Sequence, residues 1–230
     1  VVFGSGSLGK SGLVVGFLAG LSRLISRHGN RLGAVQYGAR GAAKVDAVLP
    51  VRGGRAQVLQ LMQLVRQGVA ASATPSKTNG LTRLADLLRS ATHAVRQRST
   101  VFVVSDFISE PGWEQPMGEL ARRHDVVAVR LLDPLELNLP DLGLVPVRDA
   151  ETGEQLLVDT HDSGFRQRFA RIAAQREAQL RDSLNRAGVD TLALSTYDDL
   201  AVAILRFVDL RTPTPPLPTR PPPPATLRPH

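Results

Sequence analysis

Apolar residues recur along this chain with two periods, one helical and one extended. Within residues 11–27, Val14, Val15, Leu18, Leu21, Leu24 and Ile25 fall at helical spacing, and His28-Gly29-Asn30 closes the segment. Residues 31–37 and 44–51 read as strands joined by a turn over 38–42. Helical patterns follow over 55–67 and 81–96, with a loop of small residues, 68–80, between them. A β-branched apolar run, 100–104, then ends in Ser105-Asp106-Phe107, and a second, 126–132, ends in Asp133-Pro134. A short amphipathic helix, 114–123, separates the two runs. Segments 144–147 and 155–158 flank Asp149-Ala150-Glu151-Thr152-Gly153 as a hairpin. A long helix over 163–187, a strand over 189–194 and a helix over 198–210 complete the pattern.

Two continuous apolar strands with a helix-sized segment between them mark a parallel sheet with crossover helices. The fold class is therefore α/β, a mostly parallel sheet with helices on both faces. In open sheets of this kind function gathers at the carboxyl ends of the strands, where Asp106 and Asp133 fall. The pattern stops at about residue 210. From Thr212 onward nine of nineteen residues are proline, so residues 1–210 form one domain and 211–230 an extended, solvated tail. Pro213 and Pro216 have the PxxP spacing of a docking ligand, but the tail reads more simply as a solvated terminus.

Composition narrows the chemistry. The 230 residues contain no cysteine, which excludes disulfides and thiolate metal sites and suits a cytoplasmic location. The longest apolar stretch, 12–21, is too short to span a bilayer. The net charge of +7 comes from 25 arginines against 3 lysines, a bias that goes with GC-rich bacterial coding. The arginines are dispersed and aromatics make up only 4%, so solvated helix faces account for the charge better than a nucleic-acid surface does.

One motif points to an enzyme. Gly4-Ser5-Gly6-Ser7-Leu8-Gly9-Lys10-Ser11 satisfies GxxxxGK[ST], and a helix follows it. In a phosphate-binding loop the backbone amides would cradle an anion, Lys10 would reach the terminal phosphates and Ser11 would hold Mg²⁺. Asp106, at the end of an apolar strand, would stand near that ion. Against this, only Val1-Val2-Phe3 precede the motif, where a buried strand of about five or six residues is required.

Several further motifs, in order along the chain, carry a different reading. They are Ser105-Asp106-Phe107, then Arg123-His124-Asp125-Val126-Val127-Ala128-Val129, Leu132-Asp133-Pro134-Leu135-Glu136, and Asp149-Ala150-Glu151-Thr152-Gly153-Glu154. Over residues 1–210 the chain resembles the domain of unknown function 58 family, which is similar to von Willebrand factor A domains. The resemblance implies a non-enzymatic interaction module, partnered with a MoxR-type AAA+ ATPase in a chaperone-like or assembly role toward a client protein. It also implies a divalent-cation site, with Mg²⁺ held by an Asp-x-Ser-x-Ser loop and by a later Thr and Asp. Oxygen ligands of this kind suit a hard cation. On this chain the later pair maps to Thr82 and Asp106, although Thr82 serves equally as a helix-capping hydroxyl. Ser5 and Ser7 supply the two serines, but Phe3 stands where the first Asp belongs. The resemblance therefore implies that the motif, and the first strand bearing it, lie upstream of Val1. That strand would be central, between 31–37 and 100–104, and a chain lacking it is expected to be poorly stable.

Other groups give weaker signals. The five histidines (28, 93, 124, 161 and 230) have no metal-ligand spacing, and His93 and His124 read as a helix-surface group and a residue leading into a strand. Glu151, Glu154, Asp159 and Asp162 read as turn chemistry, and Trp113 as a packing anchor at a helix start. No nucleophile elbow is present.

Overall fold

In the computed structural model, which describes residues 9–27, 29–38, 45–72, 83–148 and 155–211, fourteen elements follow one another. They are α1 (Gly9–Arg27), β1 (Leu32–Tyr37), β2 (Val45–Arg52), α2 (Arg55–Ser72), α3 (Leu84–Ala94), β3 (Thr100–Ser105) and α4 (Glu114–Arg123). After these come β4 (Asp125–Leu132), the 3₁₀ turn η1 (Pro134–Glu136), β5 (Leu144–Arg148), β6 (Gln155–Asp159), α5 (Ser163–Arg186), β7 (Asp190–Ser195) and α6 (Leu200–Arg211).

β4 organises the core. It pairs in parallel with β3, Thr100 opposite Asp125 through Ser105 opposite Arg130, and with β7, Val127 opposite Asp190 through Leu132 opposite Ser195. A strand flanked on both sides and covered on both faces has no wet side, which is why its sequence is apolar from Val126 to Leu132 save for Arg130. Alternate residues serve opposite faces. Val126 and Ala128 join Leu84 and Leu88 of α3, Met117 and Leu120 of α4, and Leu184 of α5. Val127, Val129 and Leu131 join Leu13, Phe17 and Leu21 of α1 and Leu194 of β7. Phe17 also meets Phe102 of β3 edge to face, ring centroids 6.3 Å apart. Helices thus cover both faces of the three-stranded sheet.

The remaining strands form antiparallel pairs, β1 with β2 and β5 with β6. The implied sheet has a strand between β1 and β3. Among the described residues none lies there, and β1–β2 and β3–β4–β7 are separate sheets. The predicted elements are all present, with one marked shift: α2 runs through Gly68 to Ser72, where the sequence reads as loop. Tertiary contact overrides propensity at this point. α2 passes so close to β1 that a Cβ on Gly68 would run into the Gln36 amide. The proline-rich stretch from Thr212 lies outside the described residues.

Candidate functional site

Charged side chains from three elements meet at the carboxyl edge of the parallel sheet. β3 ends at Ser105, and the chain turns at once. The Phe107 amide donates to Ser105 Oγ (2.9 Å) and the Ile108 amide to Asp106 Oδ1 (3.1 Å). These paired side-chain turns carry Phe107 into the left-handed region, φ 56°. That conformation costs an L-residue about 1–2 kcal/mol. Burial of the Phe107 ring offsets the cost: it packs edge to face on the buried Trp113, centroids 5.6 Å apart. The expected anchor role of Trp113 is met.

β4 ends one residue before Asp133, which is fully buried and whose Oδ1 accepts from the Leu135 amide at 3.0 Å. With Pro134 at its first position, η1 then brings Glu136 back over the sheet edge. Glu136 Oε1 lies 2.5 Å from Lys10 Nζ, in the first turn of α1, and Asp106 Oδ2 lies 3.5 Å from the same ammonium. Lys10 and Glu136 are well sheltered, their side chains 21% and 13% exposed, whereas Asp106 is 38% exposed. The second Glu136 oxygen, Oε2, is buried with no hydrogen-bond partner among the described residues.

Arg130 supports this edge from behind. A guanidinium on the central strand is buried, and it donates through Nη1 to the Asp106 carbonyl and to the Leu131 carbonyl (3.1 Å). Its Nη2 pairs with Glu177 of α5 at 2.5 Å. The backbone of Asp106 is therefore tied to α5, while its carboxylate is tied to α1 and to its own turn.

The sequence-derived residues distribute as follows. Asp106 and Lys10 come together, and Gly9 and Ser11 sit beside Lys10 in the first turn of α1, Ser11 exposed. Thr82, Gly4, Ser5 and Ser7 lie outside the described residues. Asp133, expected at the edge by its position after a strand, is turned inward as a cap. Glu136 takes its place at the edge. The Asp-Pro pair was the signal that could have found it, because a capped 3₁₀ turn returns its third residue toward the strand end. Asp159 and Asp162 do act in turns, accepting from the amides of His161 (2.9 Å) and Gly164 (2.8 Å). Glu151 and Glu154 lie outside the described residues.

The implied divalent cation can be tested against this geometry. Mg²⁺ needs near-octahedral oxygen ligands. At Asp106 an ammonium already lies against both carboxylates, and among the described residues no group of three or more His, Cys, Asp or Glu side chains is placed to hold a metal. The described residues do not fit a divalent cation there.

The helix-covered, three-stranded parallel sheet makes this an α/β protein, and its fold is similar to that of BatB. The crystal structure of the conserved hypothetical protein BatB from Bacteroides thetaiotaomicron superposes with a TM-score of 0.55 at 12% identity, covering 89% of this chain and 88% of that one. An aerotolerance-related membrane protein from Bacteroides fragilis superposes with a TM-score of 0.52 at 12% identity, covering 88% of each chain. The chain belongs to the family described as "Protein of unknown function DUF58", whose match spans residues 1–179. Uncharacterised proteins of Mycobacterium tuberculosis and Mycobacterium bovis are 33% identical over 210 residues, covering 91% of this chain and 63% of theirs. The chain thus spans less than two thirds of the length of these relatives. A Mycobacterium avium protein is 33% identical over 164 residues, 71% of this chain and 93% of its own. Among the described residues no helix is long and apolar enough to cross a membrane.

Proposed function

We propose that this chain is a non-enzymatic interaction module that works with a MoxR-type AAA+ ATPase, in a chaperone-like or assembly role toward a client protein, in the cytoplasm. The observation that carries the non-enzymatic part of this reading is the state of the carboxyl edge; the ATPase partnership comes from the family resemblance. Its ionisable groups are engaged with one another: the Lys10 ammonium lies against Glu136 and Asp106, and the Asp106 carboxylate also caps its own turn. General acid–base work needs a group positioned and free to move a proton to a substrate. A surface whose carboxylates are held by an ammonium of the same chain suits recognition better. The family membership and the BatB-like fold support the same reading.

The test is co-elution of the full-length protein containing this chain with the MoxR-type ATPase of the same genome, in Mg²⁺ and ATP. A stable complex is expected, and persistent separate elution would sink the partnership. The second reading, a nucleotide hydrolase using Gly4, Gly9, Lys10 and Ser11, rests on the full GxxxxGKS match. A ligand that binds only the folded state raises the unfolding midpoint. Stabilisation by ATP that disappears in Lys10→Ala would therefore select the enzyme; a midpoint indifferent to ATP would select the interaction module.

A further inference from the structure

The described part of the edge disagrees with the divalent-cation site that the fold type implies, and the disagreement has a specific cause. Lys10 Nζ lies 2.5 Å from Glu136 Oε1 and 3.5 Å from Asp106 Oδ2. The ammonium therefore engages one oxygen of each carboxylate that a cation would use. It is carried by the first turn of α1, whose Leu13, Phe17 and Leu21 are fixed in the core. Tethering makes this cation intramolecular, so it offsets part of the negative charge of the edge without the loss of freedom that a dissolved ion suffers on binding. A second cation brought to the same carboxylates would meet an ammonium within a few ångströms in a partly sheltered site, where like charges repel more strongly than in water. Glu136 sharpens the argument. Its Oε2 is buried with no hydrogen-bond partner among the described residues, and Lys10 is the cation against its other oxygen.

We propose that Lys10 is the resident cation of this edge, standing in place of a divalent metal, and that the module's recognition surface is metal-independent for that reason. The proposal rests on the interaction-module reading but is tested on the chain alone, so the two can fail separately.

The experiment uses the full chain as wild type and as Lys10→Met, Lys10→Arg and Lys10→Met with Glu136→Gln. Mn²⁺ uptake is read from loss of the free-ion electron paramagnetic resonance signal. Unfolding midpoints are read from Trp113 fluorescence in EDTA and in Mg²⁺. Wild type should leave the Mn²⁺ signal unchanged and show the same midpoint in both buffers. Lys10→Met should lower the midpoint in EDTA, recover part of it in Mg²⁺, and take up Mn²⁺ at least about tenfold more tightly than wild type, since a ligand specific to the native state stabilises it by mass action. Lys10→Arg should behave as wild type. Adding Glu136→Gln to Lys10→Met should restore the midpoint in EDTA and remove the uptake. Mn²⁺ uptake by wild type that Asp106→Asn abolishes would overturn the proposal, because a metal would then bind with Lys10 in place. A Lys10→Met chain with an unchanged midpoint and no uptake would overturn it equally. If Lys10→Met fails to fold, the wild-type titration and the double variant still decide.

Discussion

Single residues on β4 show how a buried strand tolerates polar groups. Arg130 is sheltered because its guanidinium finds the Asp106 and Leu131 carbonyls and the Glu177 carboxylate, although its Nε has no hydrogen-bond partner among the described residues. His124, just before β4, has no such compensation. It is 6% exposed, and neither ring nitrogen has a hydrogen-bond partner among the described residues. Burial, and then the neighbouring Arg123 charge, lowers its pKa below the usual 6.5. The unfolded chain therefore binds a proton more readily than the folded one as pH falls below about 6.5, so stability rises with pH in that window and is lost toward acid. Unfolding midpoints followed by Trp113 fluorescence from pH 7.5 to 5 should fall, and His124→Leu should flatten the part of the slope that sets in near pH 6.5. An unchanged slope in the variant would assign the acid loss to carboxylates instead.

At the scale of elements, the sequence was legible wherever a periodic apolar face met a single partner surface. The α4 boundaries, Glu114–Arg123, and the runs that became β3 and β4 could be read because burial on a fixed face dictates their spacing. Two features could not be read that way. The extension of α2 past Gly68 depends on Gln36 of β1, a contact no local pattern encodes. η1 is only three residues long, too short for periodicity, and its consequence, Glu136 meeting Lys10 from the far end of the chain, is a tertiary fact. For the same reason Asp106 could be chosen as a site residue from its place after a strand, whereas its partner could not. The cap on η1 gives this a test. Asp133→Ala should cost about 1–2 kcal/mol, the range for losing a capping side chain, while Asp133→Asn keeps an acceptor and should cost less. Urea unfolding of both variants checks it, and equal losses would mean that the buried carboxylate acts through its charge and not as a cap.

For the whole molecule, the decisive property is that the described strands do not form one ladder. β4 is hydrogen-bonded on both sides, to β3 and β7, and packed on both faces. β1 pairs with β2, and among the described residues no strand joins that pair to β3. What connects the two parts is helix packing: α1 lies on β4 and also against β1, and α3 packs on β1, β2 and α4. Side-chain contact of that kind is weaker in cooperativity than a shared ladder, because unpaired strand edges exchange their backbone hydrogen bonds with water. The chain should therefore unfold in more than one step. Trp113, the only tryptophan, sits in the cluster around β3 and β4 and reports on the three-stranded unit. Its fluorescence transition in urea should lie at higher denaturant than the onset of far-ultraviolet dichroism loss. Amide exchange should be slowest in β4 and faster in β1 and β2. Coincident, steep transitions from both probes, the mark of a two-state domain, would show that α1 and α3 bind the two sheets into one cooperative unit without a ladder between them.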